Sequence, residues 1–225
     1  MSPNSGEQSV TTEIDGKAHG NFKDAYDPPK YFVGQPNSLV VTDNRFEVIA
    51  LHIPFLALLK TRLKADGYDE WYFVVWFMAA TGARVSELLQ IKSEHVAVGH
   101  LDIYSKGGKL RRLYIPKNLQ KEAKLWLADK GVSSGYIFLN RYGERITTRG
   151  IAIQLKHFAD KYGLNREVVY PHSFRHRFAK NFLDKFNDIA LLADLMGHES
   201  IETTRIYLRR TATEQRAIVD KVVNW

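Results

Sequence analysis

Three segments of the 225-residue chain gather side chains able to grip an oxyanion and to move a proton. In PHSFRHRFAKNFL, His172 and Arg175 stand three residues apart, which turns both to one face of a helix. Pro171 suits the first position of that helix, where a missing N–H costs no bond. In LLADLMGHESIETTRIYLRR, Gly197 can end a helix in the left-handed conformation and Ser200 can cap the next. His198 then sits in a tight turn, and Tyr207 lies near the end of the following helix. In AATGARVSELLQIK, Arg84 follows a Thr-Gly turn and Glu87 comes three residues later. A guanidinium stays charged at any working pH and can hold two oxyanion oxygens at once. Imidazole moves protons near neutrality. A phenol, with an ordinary pKa of about 10, needs a cationic surround and a base before it attacks. Singly, each segment has a plainer reading: an ion-pairing helix face, a common Gly-His turn, one structural tyrosine among eleven.

Those side chains need elements to hold them. Residues 1–37 lack apolar periodicity and carry Pro3, Pro28, Pro29 and Pro36, so they read as a flexible lead or linker. A folded unit is expected over 38–211 and a C-terminal helix over 212–225. The spacing of Phe46, Ile49, Ile53, Leu56, Leu59 and Leu63 predicts helix over 44–64, with Pro54 kinking it or opening a second one. DEWYFVVWFMAA, residues 69–80, predicts a buried helix with Asp69 as N-cap. Arg84 to Lys92 reads as a short helix. HVAV, HLDIYS and LRRLYIP, within 95–115, read as a three-stranded meander turning at Gly99 and at residues 105–108. Helices are expected again over 118–129, 148–162, 172–184, 188–196, 200–208 and 212–222, with YIFLN at 136–140 unassigned. The predicted fold class is mainly α with a small three-stranded antiparallel sheet, an α+β chain.

Composition narrows the partner. Thirty-two Lys and Arg against 25 Asp and Glu leave a net charge of +7, which points to a polyanion, nucleic acid foremost. A basic soluble enzyme is the plain alternative. The absence of cysteine excludes disulfides, thiolate zinc sites, iron–sulfur clusters and cysteine nucleophiles. No apolar run reaches roughly 18 residues, and the polar, acidic start does not read as a signal peptide, so a cytoplasmic chain is expected.

Together, and in this order, the motifs resemble the catalytic domain of the tyrosine recombinases, the phage integrase family, over residues 70–210. That family has an Arg in a T-G-x-R-x-x-E-L box, a Lys in a hairpin turn, H-x-x-R, L-x-x-x-x-G-H and then a Tyr. Here these are Arg84 with Glu87, Lys106, His172 and Arg175, His198, and Tyr207. The resemblance implies the tyrosine recombinase catalytic-domain fold and DNA strand exchange through a 3′-phosphotyrosine. It assigns the phosphate clamp to Arg84 and Arg175, the nucleophile to Tyr207 and the general base to His172. It gives Lys106 the proton for the departing 5′ oxygen and His198 a hydrogen bond to the phosphate. Glu87 would orient Arg84 or a histidine. It implies neither metal nor nucleotide cofactor, because the protein–DNA ester keeps the bond energy. The implied partners are double-stranded DNA, further protomers in a tetrameric synapse and accessory DNA-bending proteins, with no membrane. The implied setting is the nucleoid of a bacterium, or a phage or mobile element.

Lys109, Arg111, Arg145, Arg149, Arg177 and Arg205 are the DNA-binding candidates. Lys109 is also a rival to Lys106 across the same turn, and Lys109 and Arg111 have solvated strand ends as their plain reading. His176 reads as packing, Tyr104, Tyr114 and Tyr170 as structural, and Trp71, Trp76 and Trp126 as core. The chain departs from the family in having fewer than 70 residues before the match, too few for the usual core-binding domain. A fragment or a single-domain recombinase, like the small fimbrial-type DNA invertases, is expected. The C-terminal helix is expected to dock in trans on a neighbouring protomer, or in cis. A type IB topoisomerase-like nicking and religating enzyme, and a DNA-binding remnant without turnover, are the competing readings.

Overall fold

A computed structural model describes residues 53–104, 110–208 and 212–223. The expected lead over 1–37, the start of the helix expected from residue 44, and the hairpin turn with Lys106 and Lys109 lie outside the described residues. So do Arg209 and Arg210.

Helix α1 runs Ile53–Ala65, with Pro54 in its first turn. Helix α2, Asp69–Thr81, is apolar on all sides after two acidic residues, and a helix of that kind belongs in the core. It buries Phe73, Val74, Val75, Phe77 and Met78 and packs against α1, α5 (Lys117–Asp129) and α7 (Pro171–Phe186). Phe73 stacks on Trp126 at 4.4 Å, and Phe77 meets Phe138 edge-on at 5.5 Å. Trp126 is buried as expected, whereas Trp71 and Trp76 are half-buried against the core. Asp69 is the first helical residue and Tyr68 stands at the N-cap. The acid acts there on the positive helix end without capping it.

The short α3 (Val85–Leu88) and α4 (Ser93–Val98) follow. Strand β1 (His100–Tyr104) then pairs antiparallel with β2 (Leu110–Tyr114), Asp102 opposite Arg112. The described sheet is thus two-stranded, and the expected first strand, HVAV, is helix. Lys92 N–H donates to His95 Nδ1 at 3.0 Å, which closes a helical turn at the start of α4. Gly99 ends it at φ 87°, and Val96 supplies the one buried valine. β-Branched content mimicked a strand where only one face needed burying. YIFLN makes isolated bridges, Lys92 with Tyr136 and Leu139 with Arg145.

Helix α6 covers Thr148–Lys161, α8 Ile189–Met196, and α9 Ile201–Arg205, which tightens into a 3-10 turn over Ile206–Leu208. Helix α10 runs Ala212–Val222. Pro171 opens α7, and the Ser200 side chain accepts the Glu202 N–H at 3.1 Å, as the sequence predicts. A second, smaller core of Ala179, Leu183, Leu192, Met196 and Tyr207 joins α7 and α8 to the 3-10 turn. Tyr207 is thereby held by packing within this cluster.

Candidate active site

The site grows from the C-terminal end of α8. A helix leaves its last four carbonyls without intrahelical donors, and that end carries partial negative charge. Gly197 takes φ 60° here, and the turn's own N–H groups satisfy Ala193 and Asp194. The next three carbonyls each receive a different arginine. Arg111 Nε donates to Leu195 O at 2.9 Å, Arg175 Nη2 to Met196 O at 2.6 Å, and Arg84 Nη2 to Gly197 O at 3.2 Å. These arginines come from β2, α7 and the N-cap of α3. Gly197 is required twice. Its φ suits glycine, and a Cβ would come within 2.4 Å of Arg111 Cδ.

One carboxylate is shared by two of the three arginines. Glu87 Oε1 accepts from Arg84 Nη1 at 2.9 Å and from Arg111 Nη1 at 2.7 Å. Its Oε2 accepts the Arg84 backbone N–H at 2.7 Å, closing the first turn of α3. Arg175 Nη1 donates to Gly82 O at 2.6 Å, at the left-handed end of α2. Arg175 is 2% exposed, and burial, then Arg84 and Arg111, push its guanidinium down to about 10. Burial also lowers Arg111. The Arg84 side chain is 45% exposed, so it is the arginine open to an incoming group. Three guanidiniums against one carboxylate leave an excess of two positive charges, the electrostatics of an anion site.

The histidines and the tyrosine sit beside this cluster. Arg175 Nη2 lies 3.0 Å from His198 Nε2, and His198 Nδ1 lies 2.7 Å from the buried Thr204 hydroxyl. Arginine can only donate, so Nε2 accepts and the imidazole proton is on Nδ1. In this arrangement His198 restrains Arg175; donating to a phosphate from Nε2 needs a second proton there. Burial, then the arginines, hold His198 down at about 4. His172 is lowered by burial, then by Arg175 and Arg84. His176 stands between His172 and Tyr207, with ring centroids 4.4 Å from the first and 5.2 Å from the second. The His198 ring stacks near-parallel to Tyr207 at 6.4 Å. Burial raises the Tyr207 phenol, and Arg175 and Arg84 pull against that rise.

Arg84, Glu87, His172, Arg175, His198 and Tyr207 are therefore gathered in one place. Arg111 requires correction. It is no solvated strand end, because period-two alternation puts it on the inner face of β2 with Leu113. It is 7% exposed and committed to Glu87 and the α8 carbonyl. Arg145 is exposed over the Tyr136 ring, Arg149 is exposed in the first turn of α6, and Arg205 is exposed and paired with Glu202. Arg177, two residues from Arg175, faces another side of α7, and its Nε is buried without a partner. Sequence reasoning read His176 as packing, which its burial fits, but did not place it between His172 and Tyr207, and it passed over Thr204 and the α8 carbonyls. The i,i+4 spacing from His172 is the signal that would have found His176.

Residues 57–214 match the model of the phage integrase family. The chain belongs to that family. Its similarity to the tyrosine recombinase XerA of Pyrococcus furiosus is 34% identity over 154 residues, covering 66% of this chain and 53% of that protein. The chain spans about half the length of the curated relatives it matches. Two solved members of the fold superpose well. A crystal structure of XerA recombinase gives a TM-score of 0.68 at 23% identity, over 82% of this chain and 66% of that one. XerH site-specific recombinase bound to its difH substrate gives 0.62 at 23% identity, over 82% and 57%. The phage integrase fold here is mostly helical with a small antiparallel sheet.

Proposed function

We propose that this chain carries the catalytic centre of a site-specific DNA recombinase and cuts through a 3′-phosphotyrosine at Tyr207. The observation that carries this reading is the trio of arginines at the end of α8, two charges in excess, beside a buried tyrosine flanked by two histidines. Relatives named as tyrosine recombinases, and a neighbour in the fold solved on its DNA substrate, support it.

In the proposed step the Tyr207 oxygen attacks phosphorus and the bond from phosphorus to the 5′ oxygen breaks. The phenol proton passes to His172, whose pKa desolvation, Arg175 and Arg84 all lower, which favours the neutral form that can accept it. Lys106 gives a proton to the departing 5′ oxygen. Arg84, the arginine open to solvent, holds the non-bridging oxygens as their charge grows, and buried Arg175 adds its positive charge from behind. A 5′-hydroxyl of a second strand then attacks the phosphotyrosine and restores the phenol, so no nucleotide is hydrolysed. Exposed Arg145, Arg149 and Arg205, with Lys109, would meet backbone phosphates. Helix α10 would dock on a neighbouring protomer when several assemble on DNA.

A pool of randomised duplexes, each nicked near its centre, tests this without a known target. The nick lets the cleaved strand diffuse away and traps the adduct. Wild-type protein is expected to give a covalent adduct on a denaturing gel, and Tyr207→Phe none. No adduct from wild type, or an equal yield from Tyr207→Phe, ends the reading.

A further inference from the structure

Arg111 adds its charge to the trio but takes no part in the bond-making step proposed above. It is buried on the inner face of β2 near Ile103 and Leu113, where an apolar side chain would pack without any desolvation cost. Its Nη2 is buried with no hydrogen-bond partner, a cost that a side chain kept only for packing would not carry. What the charge does is shown by Glu87. One oxygen of that carboxylate takes both Arg84 at 2.9 Å and Arg111 at 2.7 Å. The bond to the buried Arg111 is the shorter, and Arg84 is the partner left open to solvent.

We propose that Arg111 is a positioning residue that sets the charge of the phosphate site: by sharing Glu87, it stops that carboxylate from neutralising Arg84. Without Arg111, Glu87 and Arg84 are a one-to-one ion pair three residues apart, and an incoming phosphate must compete with Glu87 for the guanidinium. With Arg111, Glu87 holds Arg84 in place while the cluster keeps its excess of two charges. This inference rests on the reading of Arg84 as a phosphate ligand.

Charge compensation tests it. Arg111→Met lowers the excess from two to one, and adding Glu87→Gln returns it to two. Inorganic phosphate is titrated into the protein and followed by the arginine side-chain N–H signals in NMR. Adduct formation on a duplex captured from the nicked pool is timed in parallel. Removing one charge is expected to weaken phosphate roughly tenfold, the order set by one unit charge nearby at an intermediate effective dielectric. Arg111→Met/Glu87→Gln should recover most of that loss in both readouts. Arg111→Lys should stay within about threefold of wild type, because it keeps the charge although it loses the fork. A double variant no better than Arg111→Met, or a lysine variant as weak as methionine, overturns the proposal in favour of a purely structural strut. If Arg111→Met does not fold, the lysine variant decides: retained phosphate affinity sustains the proposal and its loss overturns it. Wild type that binds no phosphate and forms no adduct removes the reading of Arg84 as well. Wild type that does both, beside an unrecovered double variant, removes only the role of Arg111.

Discussion

His176 and His198 are both held at about 4, first by burial and then by the positive groups beside them. In the unfolded chain each would take a proton near the ordinary 6.5. Between those values the unfolded state binds protons that the folded state refuses. Their contribution to stability is therefore complete above pH 6.5 and is lost as pH falls toward 4. The melting temperature is expected to fall steadily across that window. His176→Phe should flatten part of the slope. It should also hold or raise the melting temperature at pH 7, because it removes a buried Nδ1 that has no partner. An unchanged slope in thermal scans would show that His176 takes up its proton in the folded protein. His172 makes a separate prediction for the rate. Protonation disables a general base, and its pKa lies below 6.5. Adduct formation should rise with pH through a midpoint under 6.5 and level off by neutrality. His172→Gln should abolish that limb, and a limb that survives the substitution would exclude His172 as the base.

At the scale of elements, the end of α8 decides whether the cations assemble. Gly197→Ala forces a Cβ against Arg111 Cδ and puts a non-glycine residue at φ 60°. The left-handed backbone alone costs on the order of 1–2 kcal/mol, so urea unfolding should show at least that loss at an unchanged slope. Phosphate binding should weaken with it, because Arg111 and Arg84 both bond to this turn. Stability equal to wild type would mean that Arg111 is not seated against Gly197. This turn was legible in the sequence, since a glycine after an apolar run and a serine three residues on state where one helix stops and the next starts. The amphipathic helices α5, α6 and α7 were legible from their apolar periodicity. HVAV was not, because four residues, two of them β-branched, carry no period that separates a strand from one helical turn. Arg111 was half legible: alternation along LRRLY puts it with Leu113, but nothing local says that Glu87 and an α8 carbonyl wait on that face. Bonds spanning 24 and 84 residues are products of the fold and not of the spacing.

Across the whole molecule, the +7 charge is unevenly used. Part of it is buried in Arg111 and Arg175, and part lies exposed in side chains such as Arg145, Arg149 and Arg205. Only the exposed part can displace counterions from DNA, so the salt dependence of binding should respond to Arg149→Gln and not to the buried pair. Assembly turns on α10. Its described side chains from Gln215 to Val223 are exposed except for Ile218, and Val219, Val222 and Val223 retain 55%, 58% and 47% of their surface. Burying three half-exposed valines against a neighbour gives on the order of 3 kcal/mol. A millimolar dissociation constant already needs about 4 kcal/mol, so the described valines of this helix do not by themselves hold protomers together in free solution. On DNA the protomers are held at high effective concentration, and the same contact suffices. The chain should therefore be monomeric alone and multimeric on DNA. Deleting residues 212–225 should shift the melting temperature by less than about 2 °C, as expected for losing an exposed element. It should leave single-protomer adduct formation intact and abolish the larger complexes in a gel-shift assay. A fall of several degrees instead would place the helix against its own domain, and unchanged larger complexes would move the protomer contact elsewhere.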